Sequence, residues 1–122
     1  MSLRSESDSN ASGWSLPDEL RMLAEMGDAE TVREVIHVFQ SDTEARIGRI
    51  ASAVAADNTE KARSEAHAIK GSAGQVGAAR VSAIAKEMEA AAGRRDLAEV
   101  RRLLAELESA FAAVRRDMSK AE

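Results

Sequence analysis

Apolar residues recur along this chain at the three- and four-residue spacing of a helix, and nowhere with the two-residue alternation of a strand. Val32, Ile36, Phe39, Thr43, Ile47, Ile50 and Val54 form one stripe. Ala62, Ala66, Ile69, Ala73 and Val76 form a second, and Val81, Ile84, Ala85, Met88 and Ala92 a third. A fourth, longer seam is heptad-like: Leu97, Val100, Leu104, Leu107, Phe111, Val114 and Met118. Ahead of these, Leu16, Leu20, Leu23 and Met26 give an apolar side to a short segment that Pro17 starts and Gly27 stops.

The punctuation between stripes is brief. Asp28 can cap the second helix. Asp57 with Glu60 three residues on, and Asp96 with Glu99, have capping-box spacing. Gly77 and Gly93 are expected terminators. Connections this short make sequence neighbours antiparallel, so the pattern predicts an all-α protein: an up-down-up-down antiparallel four-helix bundle with a short additional N-terminal helix. Residues 1–13, polar and serine-rich, are expected to be a disordered leader, and 14–120 a single bundle domain. A dimerising heptad array is the alternative, which the frequent helix stops disfavour, and a monomer is expected.

Composition narrows the function. The chain is 44% hydrophobic but only 2% aromatic, so its core must be built from small and aliphatic side chains. A net charge of −4 argues against nucleic acid as a partner, because such binding draws on concentrated positive charge. The pairs Arg94/Arg95, Arg101/Arg102 and Arg115/Arg116 all sit among acids. With no cysteine, thiolate catalysis and cysteine-ligated metal are excluded. No apolar run approaches the ~18 residues of a membrane span, and no apolar signal core is visible, so a cytoplasmic protein without membrane contact is expected.

The candidate chemistry lies in "HAIKGSAGQVG", His67 to Gly77. A glycine in a helix interior costs roughly 0.5–1 kcal/mol relative to alanine, yet Gly71 and Gly74 both fall here. On a helical wheel Arg63, Lys70, Gly71 and Gly74 lie within about 60° of His67, away from the apolar stripe. That face therefore carries an exposed imidazole, a lysine one turn on, and a strip free of side chains that lets another backbone approach. If the chain turns near 77–78, His67 comes opposite a point flanked by Lys86 and Glu89. A carboxylate there can accept the Nδ1 proton and leave Nε2 free as a nucleophile, with Lys70 and Lys86 favouring a phosphoryl group. The plain alternative is a surface histidine beside glycines that mark fraying.

Other chemistries fit less well. Ser72 is about 140° from His67 on the wheel and cannot complete a hydrolase triad. A bundle metal site needs Glu-x-x-His twice, whereas Glu65 stands two residues before His67. The other histidine, His37, flanks a core stripe and is expected to be a boundary residue. No phosphate-binding loop or dinucleotide fingerprint is present.

"AHAIKGSAGQVGA", residues 66–78, resembles the signature of histidine-containing phosphotransfer (HPt) domains of multistep phosphorelays, matched at His67, Ile69, Lys70, Gly71, Ser72, Ala73, Val76 and Gly77. "KEMEAAAGRRDL" further on also resembles the family. The resemblance spans roughly 18–118, with its specific motif content in 66–89. It implies a phosphorelay intermediate of a two-component system, without an ATP site, rather than a self-standing enzyme. His67 would be the phosphoacceptor, assisted by Lys70 and oriented by Glu89. The partners would be a response-regulator receiver domain and/or a hybrid histidine kinase. The chain itself would need no cofactor, Mg²⁺ being carried by the receiver. Docking would involve Arg63, Gly71, Gly74 and Lys86, with an apolar surface from Leu20, Leu23 and Met26. Two other readings stay open: a helical interaction domain in which His67 is not phosphorylated, and a dimerising kinase-like bundle, which the Ala68 after His67 disfavours.

Overall fold

The computed structural model describes residues 12–121. Five helices follow one another: α1 (Asp18–Glu25), α2 (Ala29–Ala55), α3 (Thr59–Gln75), α4 (Ala79–Gly93) and α5 (Leu97–Ala121). There is no β-strand among the described residues, only an isolated bridge between Trp14 and Ala78. Helices α2 to α5 each pack on the next, and α5 returns to α2, which closes a four-helix ring. Helix α1 packs on α2 outside it.

The core is made of the faces that the spacing selects. Every member of the α2, α3 and α4 stripes is buried. In α5 the seam is wider than the heptad pattern indicates. Leu103 and Ala110 are buried as well, while Leu97 and Leu104 are only partly covered. Ile50, Ile69, Met88, Leu103, Leu107 and Met118 are the largest fully buried side chains. Phe39 of α2 meets Phe111 of α5 edge to face, with centroids 6.1 Å apart.

Each of the four interhelix turns has the same three-residue form. The middle residue takes a left-handed conformation and the last one immediately precedes the next helix. The left-handed residues are Gly27, Asp57, Gly77 and Arg95. In each case the amide of the following residue reaches back to a carbonyl of the previous helix's last turn: Asp28 to Leu23, Asn58 to Ala53, Ala78 to Ala73 and Asp96 to Ala91. This is the Schellman arrangement. Two expectations shift by a residue or two as a result. The cap of α3 is Asn58, whose Oδ1 accepts from the Lys61 amide at 3.0 Å, and Asp57 is the left-handed terminator before it. Gly93 is the last residue of α4, and Arg95 ends it.

The expected leader falls mostly outside the described residues, but Ser12 and Gly13 do not belong to it. Ser12 is buried and its hydroxyl donates to Asp117 of α5. The Gly13 carbonyl accepts from the Ala79 amide, the Ser15 amide donates to the Gly77 carbonyl, and the Trp14 indole N–H donates to the Val76 carbonyl at 3.0 Å. Residues 12–17 thus run as a strap across the α3–α4 turn. A Cβ at Gly77 would lie 1.9 Å from the Ser15 carbonyl oxygen, so this position needs glycine both for its φ of +80° and for the strap.

Candidate functional site

Helices α3 and α4 form an antiparallel hairpin in one regular register: Arg63 faces Gly93, His67 faces Glu89 and Gly74 faces Ser82. The hairpin's buried face alternates alanines with larger residues, Ile69 on α3 and Val81, Ile84 and Met88 on α4. Ala62, Ala66, Ala73, Ala85 and Ala92 let the helices approach closely, and short polar side chains on its outer edge can bridge them.

His67 stands on that edge with its side chain 65% exposed. Its Nδ1 lies 2.8 Å from Glu89 Oε2, and Lys70 Nζ lies 2.8 Å from Glu89 Oε1. The Lys70 contact, joined by the His67 contact and opposed by burial, holds the Glu89 carboxyl below its usual range. An ionised carboxylate can only accept. Nδ1 therefore carries the proton, and in the neutral ring the lone pair belongs to Nε2, which has no partner among the described residues. The site is thus an oriented imidazole with its nucleophilic nitrogen in solvent.

The remaining sequence-derived residues divide. A Cβ at Gly71 would meet nothing within 4 Å, so nothing inside the protein calls for glycine there. A Cβ at Gly74 would lie 3.8 Å from Ser82 Oγ, which puts Gly74 at the α3–α4 seam rather than on a bare outer strip. Lys70 is bound to Glu89 and is not a free cation. Arg63 is exposed, donates two N–H groups to Glu60 at 3.0 and 2.9 Å, and is held above its usual pKa by that pair. Lys86 is exposed on α4. Leu20 and Leu23 are partly buried and pack against the core, because α1 turns its apolar side to α2. Of the three apolar residues expected on the surface only Met26 is strongly exposed, at 79%. His37 is exposed rather than at a core boundary.

Three features were not anticipated. Val38 is 68% exposed and lines an open groove of about 400 Å³ between α2 and the end of α3, with Val35, Phe39, Ser72 and Val76. Its signal was available, since it is an apolar residue off the buried stripe. Ser82 donates to the Lys70 backbone carbonyl at 2.9 Å. Glu65 is buried and holds Arg46 and Arg49 of α2 at 2.9 Å each, with Lys61 at 3.5 Å. Among the described residues no group of three or more His, Asp or Glu side chains is arranged to hold a metal ion. Among the described residues no helix is long and apolar enough to cross a membrane.

Comparison with known proteins places the fold in a family. Residues 34–117 match the family model described as Hpt domain. Among solved structures, histidine-containing phosphotransfer protein B (HptB) from Pseudomonas aeruginosa PAO1 superposes with a TM-score of 0.78 at 25% identity, covering 87% of this chain and 92% of that one. A rice protein described as a histidine-containing phosphotransfer protein superposes with a TM-score of 0.76 at 24% identity, covering 98% of this chain and 85% of that one. The rice structure speaks to the fold alone. No curated protein matches the sequence.

Proposed function

Since the chain belongs to the Hpt domain family, as the match over residues 34–117 shows, we propose that His67 is the residue through which this histidine phosphotransfer module works, exchanging a phosphoryl group with the aspartate of a response-regulator receiver domain. The observation that carries this is the contact of Nδ1 with Glu89 at 2.8 Å on a ring whose Nε2 faces solvent.

In the forward step the Nε2 lone pair attacks the phosphorus of the receiver's aspartyl phosphate. The P–O bond to the aspartate breaks, its electron pair leaves with the carboxylate, and an N–P bond forms at Nε2. The proton on Nδ1 stays in place, so the ring gains positive charge as the bond forms. Glu89 lies against that charge and stabilises it, and the reverse step uses the same contacts. Phosphoryl transfer asks chiefly for positioning and charge neutralisation. Lys70 serves by keeping Glu89 ionised and aimed.

Gly71 fits the same reading. A helix-interior glycine with open space around it is explained by a partner surface that must come close. In the same reading the exposed Arg63, Lys86 and Met26 take part in docking, with Gly74 at the seam between α3 and α4. The divalent cation of the reaction is placed on the receiver's acidic site, and the module in the cytoplasm with its receiver and kinase partners.

The test is transfer from a phosphorylated receiver domain. The wild-type protein should gain an acid-labile, base-stable phosphoryl group, and His67→Gln should gain none while keeping its helical circular dichroism. Label that persists on His67→Gln would overturn the assignment.

A further inference from the structure

We infer that Ser82 is a positioning residue for the phosphotransfer site: its hydroxyl clamps the backbone of Lys70 and thereby sets the register at which Glu89 meets both His67 and Lys70.

Ser82 is half-buried on α4, and its Oγ donates to the Lys70 carbonyl oxygen at 2.9 Å. That carbonyl lies inside α3, where its other lone pair serves the helix ladder. The residue four positions on borders the second donor's approach, because helical side chains tilt back over the preceding turn. That residue is Gly74. A Cβ there would stand 3.8 Å from Ser82 Oγ, so the missing side chain and the arriving hydroxyl occupy neighbouring space. Gly74 and Ser82 are thus neighbours across the hairpin, with room between them for the hydroxyl to reach the carbonyl.

The clamp bears on the site because Lys70 is held at both ends. Its carbonyl takes Ser82, and its Nζ takes Glu89 Oε1 at 2.8 Å. Ser82 and Glu89 are seven residues apart on α4, two turns along the same side. Turning or sliding α4 against α3 would therefore move both contacts together. Glu89 has little tolerance for such movement, since it must satisfy two partners at 2.8 Å with one short side chain. The buried faces of α3 and α4 mix alanines with Ile69, Val81, Ile84 and Met88, and apolar packing is not directional. A hydrogen bond to the backbone adds direction to it.

The inference rests on the phosphotransfer reading of His67, but one arm of its test does not. Ser82→Ala should leave the helical circular dichroism unchanged and lower the rate of transfer from a phosphorylated receiver by about fivefold, the factor of one net hydrogen bond. In the same variant, ¹⁵N shifts of the His67 ring should show a smaller share of the Nδ1–H tautomer. Ser82→Thr keeps the hydroxyl and should restore both readouts. A Ser82→Ala protein with unchanged ring shifts would overturn the clamp, whatever the transfer assay showed. If wild type gained no label at His67 while the ring shifts still responded to Ser82→Ala, the clamp would stand and the phosphotransfer reading would fall.

Discussion

The two flanks of α3 each centre on one carboxylate, and they differ in what is left over. Toward α2, Glu65 is 7% exposed and receives Arg46, Arg49 and Lys61. Every charge there is spent inside the protein, and the cluster fastens α3 to α2. Toward α4, Glu89 is 19% exposed and receives Lys70 and His67. One of its partners keeps a reactive atom pointing outward. Both carboxyls are held below their usual range. At Glu65 a large burial effect pushes upward and the bonds from Arg49 and Arg46 overcome it. At Glu89 the Lys70 bond leads. A depressed carboxyl pKa alone therefore does not separate a fastening from a working site, whereas an unmatched, accessible nucleophile does.

The largest expected contrast comes from deleting each carboxylate. Glu89→Ala should slow transfer from a phosphorylated receiver by about tenfold to a hundredfold, with a stability change of no more than ~1 kcal/mol. Glu65→Ala should do the opposite, changing transfer by less than about twofold and lowering the denaturant-unfolding free energy by about 1–2 kcal/mol. That loss is less than for a fully buried pair, because Arg46 and Arg49 can turn to water. If Glu65→Ala slowed transfer as much as Glu89→Ala, the distinction between the flanks would collapse.

A smaller effect follows from pH. The folded-state pKa of Glu65 lies below its ordinary value of 4.5, so its stabilisation is fully present above that value and is lost as pH falls through the folded pKa. The stability gap between wild type and Glu65→Gln should be flat from pH 7 to about 5.5 and close below about 4.5. A gap that widened on acidification would reverse the assignment of charge at this flank.

The smallest effect sharpens the open side. Gly71→Leu should raise thermal stability by about 0.5–1 kcal/mol, since leucine is the better helix former and nothing obstructs it. It should also slow transfer a few fold by obstructing the partner. Wild-type transfer by a stabilised Gly71→Leu would show that nothing docks over this turn.

Much of this was legible in the sequence because it depended on period alone. The stripes on α2, α3 and α4 follow from 3.6-residue spacing, and the approach of Glu89 to His67 follows from one antiparallel turn at Gly77. What depended on the rotation of one helix against another was not legible. Arg46 and Arg49 read as ordinary surface charges until the α2–α3 packing angle brings them to Glu65. Leu20 and Leu23 read as a surface until α1 is seen to turn them inward. The turns misled for another reason. Asp57 and Asn58 are both good caps, and only the backbone shows that Asp57 takes the left-handed position, a conformation that Asp tolerates but glycine advertises. Arg95 carries no such advertisement at all.

Those three-residue turns have a bearing on how a message can pass through the molecule. With every helix end tied to the next helix start, there is no slack for one helix to ratchet or swing, and Trp14 to Pro17 seal the α3–α4 turn. A bundle built this way is poorly suited to announcing its state by changing shape. The information it holds is a single bond at the rim of a stiff object, and a partner distinguishes loaded from empty by touching that bond.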